Sequence, residues 1–243
     1  MRSMVFHRAI FFTAALAAAL IAFLPLRLAV DGTRLAARAV TGSVWSGSVE
    51  DAHWGAVRIG DADAGIAVTP LLLGRLSMGI AGRGADPLRG TAFTGVGGAG
   101  ISGVDGSIET GAIFAPLPLA AFELENVSAQ FGGSGCSYAG GLVRARISNA
   151  VAGLALPQGL SGTLRCEADV LLVPLRSASG MEGIDLRIAR TGRFEAQLLI
   201  RPADAAGGAR LAAAGFRRTS RGYLAVVRGD LSGRRSGAQA ATQ

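Results

Sequence analysis

The sequence predicts a mainly β protein: one N-terminal transmembrane helix followed by a long curved antiparallel sheet or an open β-sandwich. Three observations predict it. One early run is apolar and uncharged, apolar and polar residues alternate with period two over most of the remaining chain, and 36 glycines among 243 residues show no G-X-Y repeat. Each glycine inside a helix costs roughly 1 kcal/mol relative to alanine, so this content favours strands and turns. With 50% hydrophobic and 17% charged residues the chain can bury a core, which excludes disorder for most of its length.

The first element is Ala9 to Leu26 (AIFFTAALAAALIAFLPL), 18 residues without a charge, preceded by Arg2 and Arg8 and followed by Arg27. As a helix it would be about 27 Å long, enough to cross a bilayer core with little tilt. A cleaved signal peptide would end at an A-x-A-like site, and the adjoining PLRLAVDGTRL offers no clean one, so residues 9–28 read as an uncleaved anchor. The flanking arginines predict a single-pass protein of the cell inner membrane, with residues 1–8 cytoplasmic and residues 29–231 periplasmic.

Next, Asp31 to Val40 reads as a short helix capped by Asp31 or Thr33, with Leu35 and Ala39 on one face. Beyond it the period becomes that of strands. Leu164, Cys166, Ala168, Val170 and Leu172 alternate with Arg165, Glu167 and Asp169; Ile184, Leu186 and Ile188 alternate with Asp185 and Arg187; Val143, Ala145 and Ile147 alternate with Arg144 and Arg146. Leu76, Met78 and Ile80 repeat the pattern earlier. Such runs recur near 43–49, 55–60, 63–69, 75–81, 88–94, 107–113, 123–131, 142–148, 162–173, 183–190, 194–201, 209–216 and 222–229, punctuated by Gly, Pro, Asp and Ser. Residues 95–106 (GVGGAGISGVDG) read as a flexible glycine-rich connection between two sheet segments, about 41–94 and 107–229. The polar tail 232–243 reads as disordered.

Cys136 and Cys166 both lie beyond the membrane segment. In an oxidising compartment they form a single disulfide; the other reading is two buried free thiols. Two cysteines and His53, the one histidine beyond the anchor, do not supply four spaced ligands, so no metal is expected, and no cofactor motif stands out.

Charge and motifs narrow the function classes. All 24 basic residues are arginine, which excludes a lysine P-loop and Schiff-base chemistry. The net charge of +7 lies at the chain ends: residues 1–30 carry three arginines and no acid, and residues 207–243 carry seven against Asp230. The middle is slightly acidic, which argues against a nucleic-acid partner. Gly95, Gly97 and Gly100 match G-x-G-x-x-G, but no helical period comes after them to hold a pyrophosphate. There is no G-x-S-x-G, His53 beside Trp54 suits a packed or surface imidazole, and Glu123 and Glu125 suit a solvated strand face, so no catalytic residue and no enzyme are expected. Asn126-Val-Ser128 fits a glycosylation triplet with nothing else pointing to a eukaryotic secretory protein. Trp45 and Trp54 read as anchors of a strand pair in an aromatic-poor chain.

With the anchor in place, the order of short motifs resembles the general secretion pathway protein N family of the bacterial type II secretion system. Thr41-Gly42-Ser43-Val44-Trp45-Ser46-Gly47 is similar to that family's G-T-x-W-x-G element. Thr69-Pro70-Leu71-Leu72-Leu73-Gly74-Arg75-Leu76 resembles its polar-x-P-x-x-L-x-G-x-L strand start. Gly162-Thr163-Leu164-Arg165-Cys166 comes next, with Cys136 upstream, and Gly215-Phe216 and Gly222-Tyr223-Leu224 precede a final strand. The resemblance implies an inner-membrane protein whose periplasmic β-domain accompanies the export of folded proteins through an outer-membrane secretin. Its partners would be the secretin, the inner-membrane platform or both, met through sheet edges and loops. An AsmA-like lipid-transfer protein is the alternative: it shares one anchor and similar short motifs, and would need a long apolar β-groove left open for lipid.

Overall fold

The computed structural model describes residues 35–54, 57–84, 87–111, 113–147 and 159–231, with Ala22–Arg27 and the positions Phe12, Leu16, Ala19 and Leu20 ahead of them. The expected cytoplasmic residues 1–8, most of the expected anchor and the tail 232–243 lie outside the described residues. Among the described residues no helix is long and apolar enough to cross a membrane.

The chain forms one large antiparallel sheet. Its strands are β1 (Leu35–Ala36), β2 (Ala39–Gly42), β3 (Gly47–Trp54), β4 (Val57–Ile66), β5 (Arg75–Gly82), β6 (Arg89–Gly95), β7 (Gly98–Glu109), β8 (Leu119–Gly132), β9 (Gly135–Ile147), β10 (Gly159–Thr163), β11 (Arg165–Glu167), β12 (Val170–Arg176), β13 (Glu182–Ile188), β14 (Arg193–Ile200), β15 (Arg217–Thr219) and β16 (Gly222–Asp230). Two helices interrupt them, α1 (Val68–Leu72) between β4 and β5 and α2 (Ala205–Ala213) between β14 and β15. Strand order follows chain order from β3 to β10 and continues β12-β13-β14-β16-β15, with β1 and β2 on the outer side of β3 and β11 beside β12. Sequential hairpins of this kind arise from short turns between amphipathic strands.

The predicted alternation is realised most cleanly in β14, where Phe194, Ala196, Leu198 and Ile200 are buried and Arg193, Glu195 and Gln197 face outward. Ile184 and Leu186 of β13, Val143 and Ala145 of β9 and Val127 and Ala129 of β8 join them in one core. The sheet curls over this core. Phe114, in the loop after β7, sits edge-on to Phe122 of β8 at 5.6 Å and against Phe194 of β14 at 4.8 Å, linking strands that are far apart in sheet order. A smaller cluster of Leu26, Val49, Ala52 and Ala62 serves the N-terminal flank.

Four expectations are corrected. Leu35 to Gly42 is not helical but forms β1 and β2, because pairing along β3 outweighs the mild helix preference of the alanines. The segment 95–106 is no flexible connection between two sheet segments. It is the end of β6, a tight turn and most of β7, within a continuous sheet. Its glycines fit strand crowding and bulges: a Cβ at Gly100 would meet the Phe93 ring at 2.9 Å, and Gly103 and Gly106 take positive φ beside the register shifts around Val104. The run 162–173 reverses at Ala168–Asp169 and is shared among β10, β11 and β12. Finally, 209–216 belongs largely to α2, whose start is capped by Asp204 accepting the Gly207 N–H at 2.6 Å.

Candidate functional site

The two N-terminal motifs meet at one end of the sheet. Residues 43–46 turn β2 into β3, closed by mutual backbone bonds between Ser43 and Ser46 at 3.1 and 3.2 Å. Gly42, at φ +85°, and Gly47 face each other across the turn, and a Cβ on Gly47 would lie 2.6 Å from the Thr41 carbonyl oxygen and 2.7 Å from Leu26 Cδ2. The glycine therefore makes room for Leu26, the end of the N-terminal apolar run, which is 1% exposed. Pro25 bridges to Ser43, and the Leu24 carbonyl accepts the Val44 N–H at 2.9 Å. Trp45 is half-buried within the turn; the side chain of Trp54 lies outside the described residues. We call this end of the sheet proximal.

The second motif forms α1 and its exit. Pro70 occupies the first turn of this five-residue helix, where its missing N–H is no loss. Leu73 ends it with its N–H on the Pro70 carbonyl at 3.0 Å, and Gly74, at φ +70°, releases the chain into β5. The Val44 carbonyl accepts the Ile66 N–H at 2.8 Å, and the Ala67 N–H reaches the Ser77 carbonyl at 2.8 Å, so the turns carrying both motifs are joined by backbone bonds. Leu72 and Leu73 are each 83% exposed. The sequence signal for this tip was the uninterrupted triplet Leu71-Leu72-Leu73, which breaks the alternation on either side.

The remaining motif residues lie elsewhere and stabilise hairpins. Cys136 of β9 and Cys166 of β11 form the disulfide, with Cα atoms 5.5 Å apart, so the reading as free thiols is set aside. Gly162 lets β10 run close beside its neighbour β12, where a Cβ would collide with the Pro174 carbonyl oxygen. Gly215 and Phe216 close α2: the Gly215 N–H bonds the Ala212 carbonyl and the Phe216 N–H bonds the Leu211 carbonyl, both at 3.0 Å. That is a Schellman cap rather than a strand start. Gly222 opens β16, and Tyr223 packs its ring against α2, where a Cβ on Gly208 would lie 2.6 Å from its hydroxyl.

The outer face is polar and paired. Arg144 meets Glu125, Arg146 meets Glu123 at 3.2 Å, Arg187 meets Glu167 at 3.1 Å, and Arg176 meets Asp185 at 2.7 Å. Exposed pairs of this kind contribute about 0–1 kcal/mol each; their effect is to neutralise the face. Glu195 holds its carboxyl below the usual range, first through the Gln197 amide at 2.6 Å and then, against the opposing effect of burial, through Arg228, also at 2.6 Å. His53 Nδ1 lies 2.8 Å from the Asp51 carbonyl. Asn126, at φ +49°, occupies a bulge of β8 with its N–H on Asp105, and Ser128 Oγ accepts the Gly103 N–H at 2.9 Å. An open polar hollow on the N-terminal flank is lined by Arg38, Asp51, Arg58, Gly60 and Asp61, its two arginines matched by two aspartates. Among the described residues no group of three His, Cys, Asp or Glu is placed to hold a metal ion. The apolar face that a lipid groove would leave open is here filled by Phe114, Leu117, Leu211 and the inward residues of β8 to β14.

No curated protein and no solved structure matches this chain. A family model described as Type II secretion system (T2SS), protein N matches residues 33–227, a span holding every strand except the last residues of β16, both helices and the disulfide. With well over half of its length matched, the chain belongs to the type II secretion system protein N family and is a component of that secretion system.

Proposed function

We propose that this protein is a non-enzymatic, single-pass component of the bacterial inner membrane, anchored by residues 9–28. Its β-domain, residues 29–231, works in the periplasm. It contributes to export of folded proteins by contacting the secretin, the inner-membrane platform or both, through the N-terminal flank 41–94 and its sheet edge. The observation that carries this reading is Leu26: the last residue of the apolar run is buried in the flank's own core, so an anchor formed by that run would hold the flank beside the membrane. The outer edge of β2 supports it. Among the described residues only the Pro25–Ser43 bridge occupies that edge, and its residues Ala39, Val40 and Thr41 carry no charge to repel an added strand.

Photo-crosslinkers placed along 41–94 in secreting cells test it. Capture of a secretin or platform subunit, with loss of exoprotein from the medium on deletion of the gene, is the expected result. Crosslinkers that capture no secretion component would remove the contact surface, and unchanged export on deletion would remove the role.

A further inference from the structure

Large exposed apolar side chains are ordinarily scattered over a soluble surface. Here they are not. Among the described residues, those outside the N-terminal apolar run are Val68, Leu71, Leu72, Leu73, Leu76 and Val96, with Tyr138. All fall at the proximal end. Ser77, Phe93, Gly100, Gln130 and Tyr138 pair in succession across β5 to β9 and form one rung of the sheet. Each exposed apolar residue lies on that rung or beyond it, toward the end where Leu24 and Pro25 join. The distal turns 83–84, 87–88, 113–118, 177–181 and 201–221 contribute none.

The geometry points to a membrane contact: the leucine tip of α1 and the Val96 hairpin dip into the interface of the bilayer that holds the anchor. This rests on the anchor reading above. Three observations select lipid as the occupant. The same end receives the apolar run, whose own Phe12, Leu16, Leu20 and Phe23 are exposed. Backbone bonds lead without a gap from Leu24 through Val44 and Ile66 to the residue preceding α1. Arg75, next to the tip, lays its guanidinium 3.6 Å from the Phe93 ring centroid, an arginine and aromatic set at the depth where headgroups meet acyl chains. An apolar tip at the end of a rigid sheet then fixes the sheet's tilt, which a single helix could not do.

The test uses the full chain in phosphatidylethanolamine and phosphatidylglycerol vesicles. Both native cysteines are in the disulfide, so single cysteines at Leu16→Cys, Leu72→Cys, Val96→Cys and Ser220→Cys can each carry a polarity-sensitive fluorophore. Nitroxide lipids should quench positions 16, 72 and 96 severalfold more than position 220, and aqueous iodide should do the reverse. If position 16 is quenched by lipid while 72 and 96 behave like 220, the contact is disproved and the anchor stands. If 16 is also open to iodide, the anchor reading fails and the contact with it. Shielding of 72 and 96 from both quenchers would mean that a second copy covers them, which also overturns the proposal.

Discussion

Gly47 and Leu26 form a lock that one methyl group would open. An alanine at 47 presses on the Thr41 carbonyl oxygen and on Leu26 Cδ2, while Gly133, with nothing within 4 Å of its Cβ position, tolerates the same change. Overpacking of this kind costs about 1–3 kcal/mol. Gly47→Ala should therefore lower the urea midpoint at unchanged slope, and Gly133→Ala should leave it in place. Glu195 gives a second outcome. Its carboxyl titrates below its unfolded value, so its stabilisation is present above the ordinary glutamate pKa of about 4.3 and is lost as pH falls through the lower folded value. Denaturation midpoints of the native protein should drop more steeply below that pH than those of Glu195→Gln. The sequence marked Gly42, Trp45 and Gly47 as a motif but not its reason, because Leu26 reaches Gly47 through tertiary packing that no period encodes.

Among the elements, the β9–β11 staple is the one whose worth derives from length alone. The disulfide closes a loop with a sequence separation of 30, which in the chain-entropy model contributes roughly 3–4 kcal/mol. Replacing Cys136 and Cys166 with serine should lower unfolding free energy by about that amount, measured by denaturant titration with the native protein under reducing conditions as a second arm. This pairing was legible because both cysteines lie beyond the apolar run, and strands such as β13 and β14 because half-burial imposes period two on their residues. The helix α2 was not: with Leu211 its only large buried side chain, 209–216 offered no period to separate helix from strand. The decisive signals were local caps, Asp204 ahead and Gly215 with Phe216 behind. The glycine-rich β7 misled for the opposite reason, since glycine marks close strand approach as well as freedom.

Taken whole, the molecule is one sheet with two unequal cores. Among the described residues the N-terminal flank rests on a cluster of four buried apolar residues, with Val44 and Ala64 buried outside it, whereas Val104 to Leu211 contribute a far larger cluster. Opening free energy tracks buried apolar contact, so amides of β3 to β5 should exchange faster than those of β8, β9, β13 and β14. Hydrogen-exchange mass spectrometry reads this directly, and equal protection across both groups would show that the flank opens only with the whole sheet. One boundary of that sheet carries a last consequence. The outermost strand β15 is short and fully exposed, with Arg217 and Arg218 in it and Arg221 in the turn after it. Another copy trying to extend the hydrogen-bond ladder there would have to strip water from those guanidinium groups. Chains crowded side by side are thus kept from propagating into fibres.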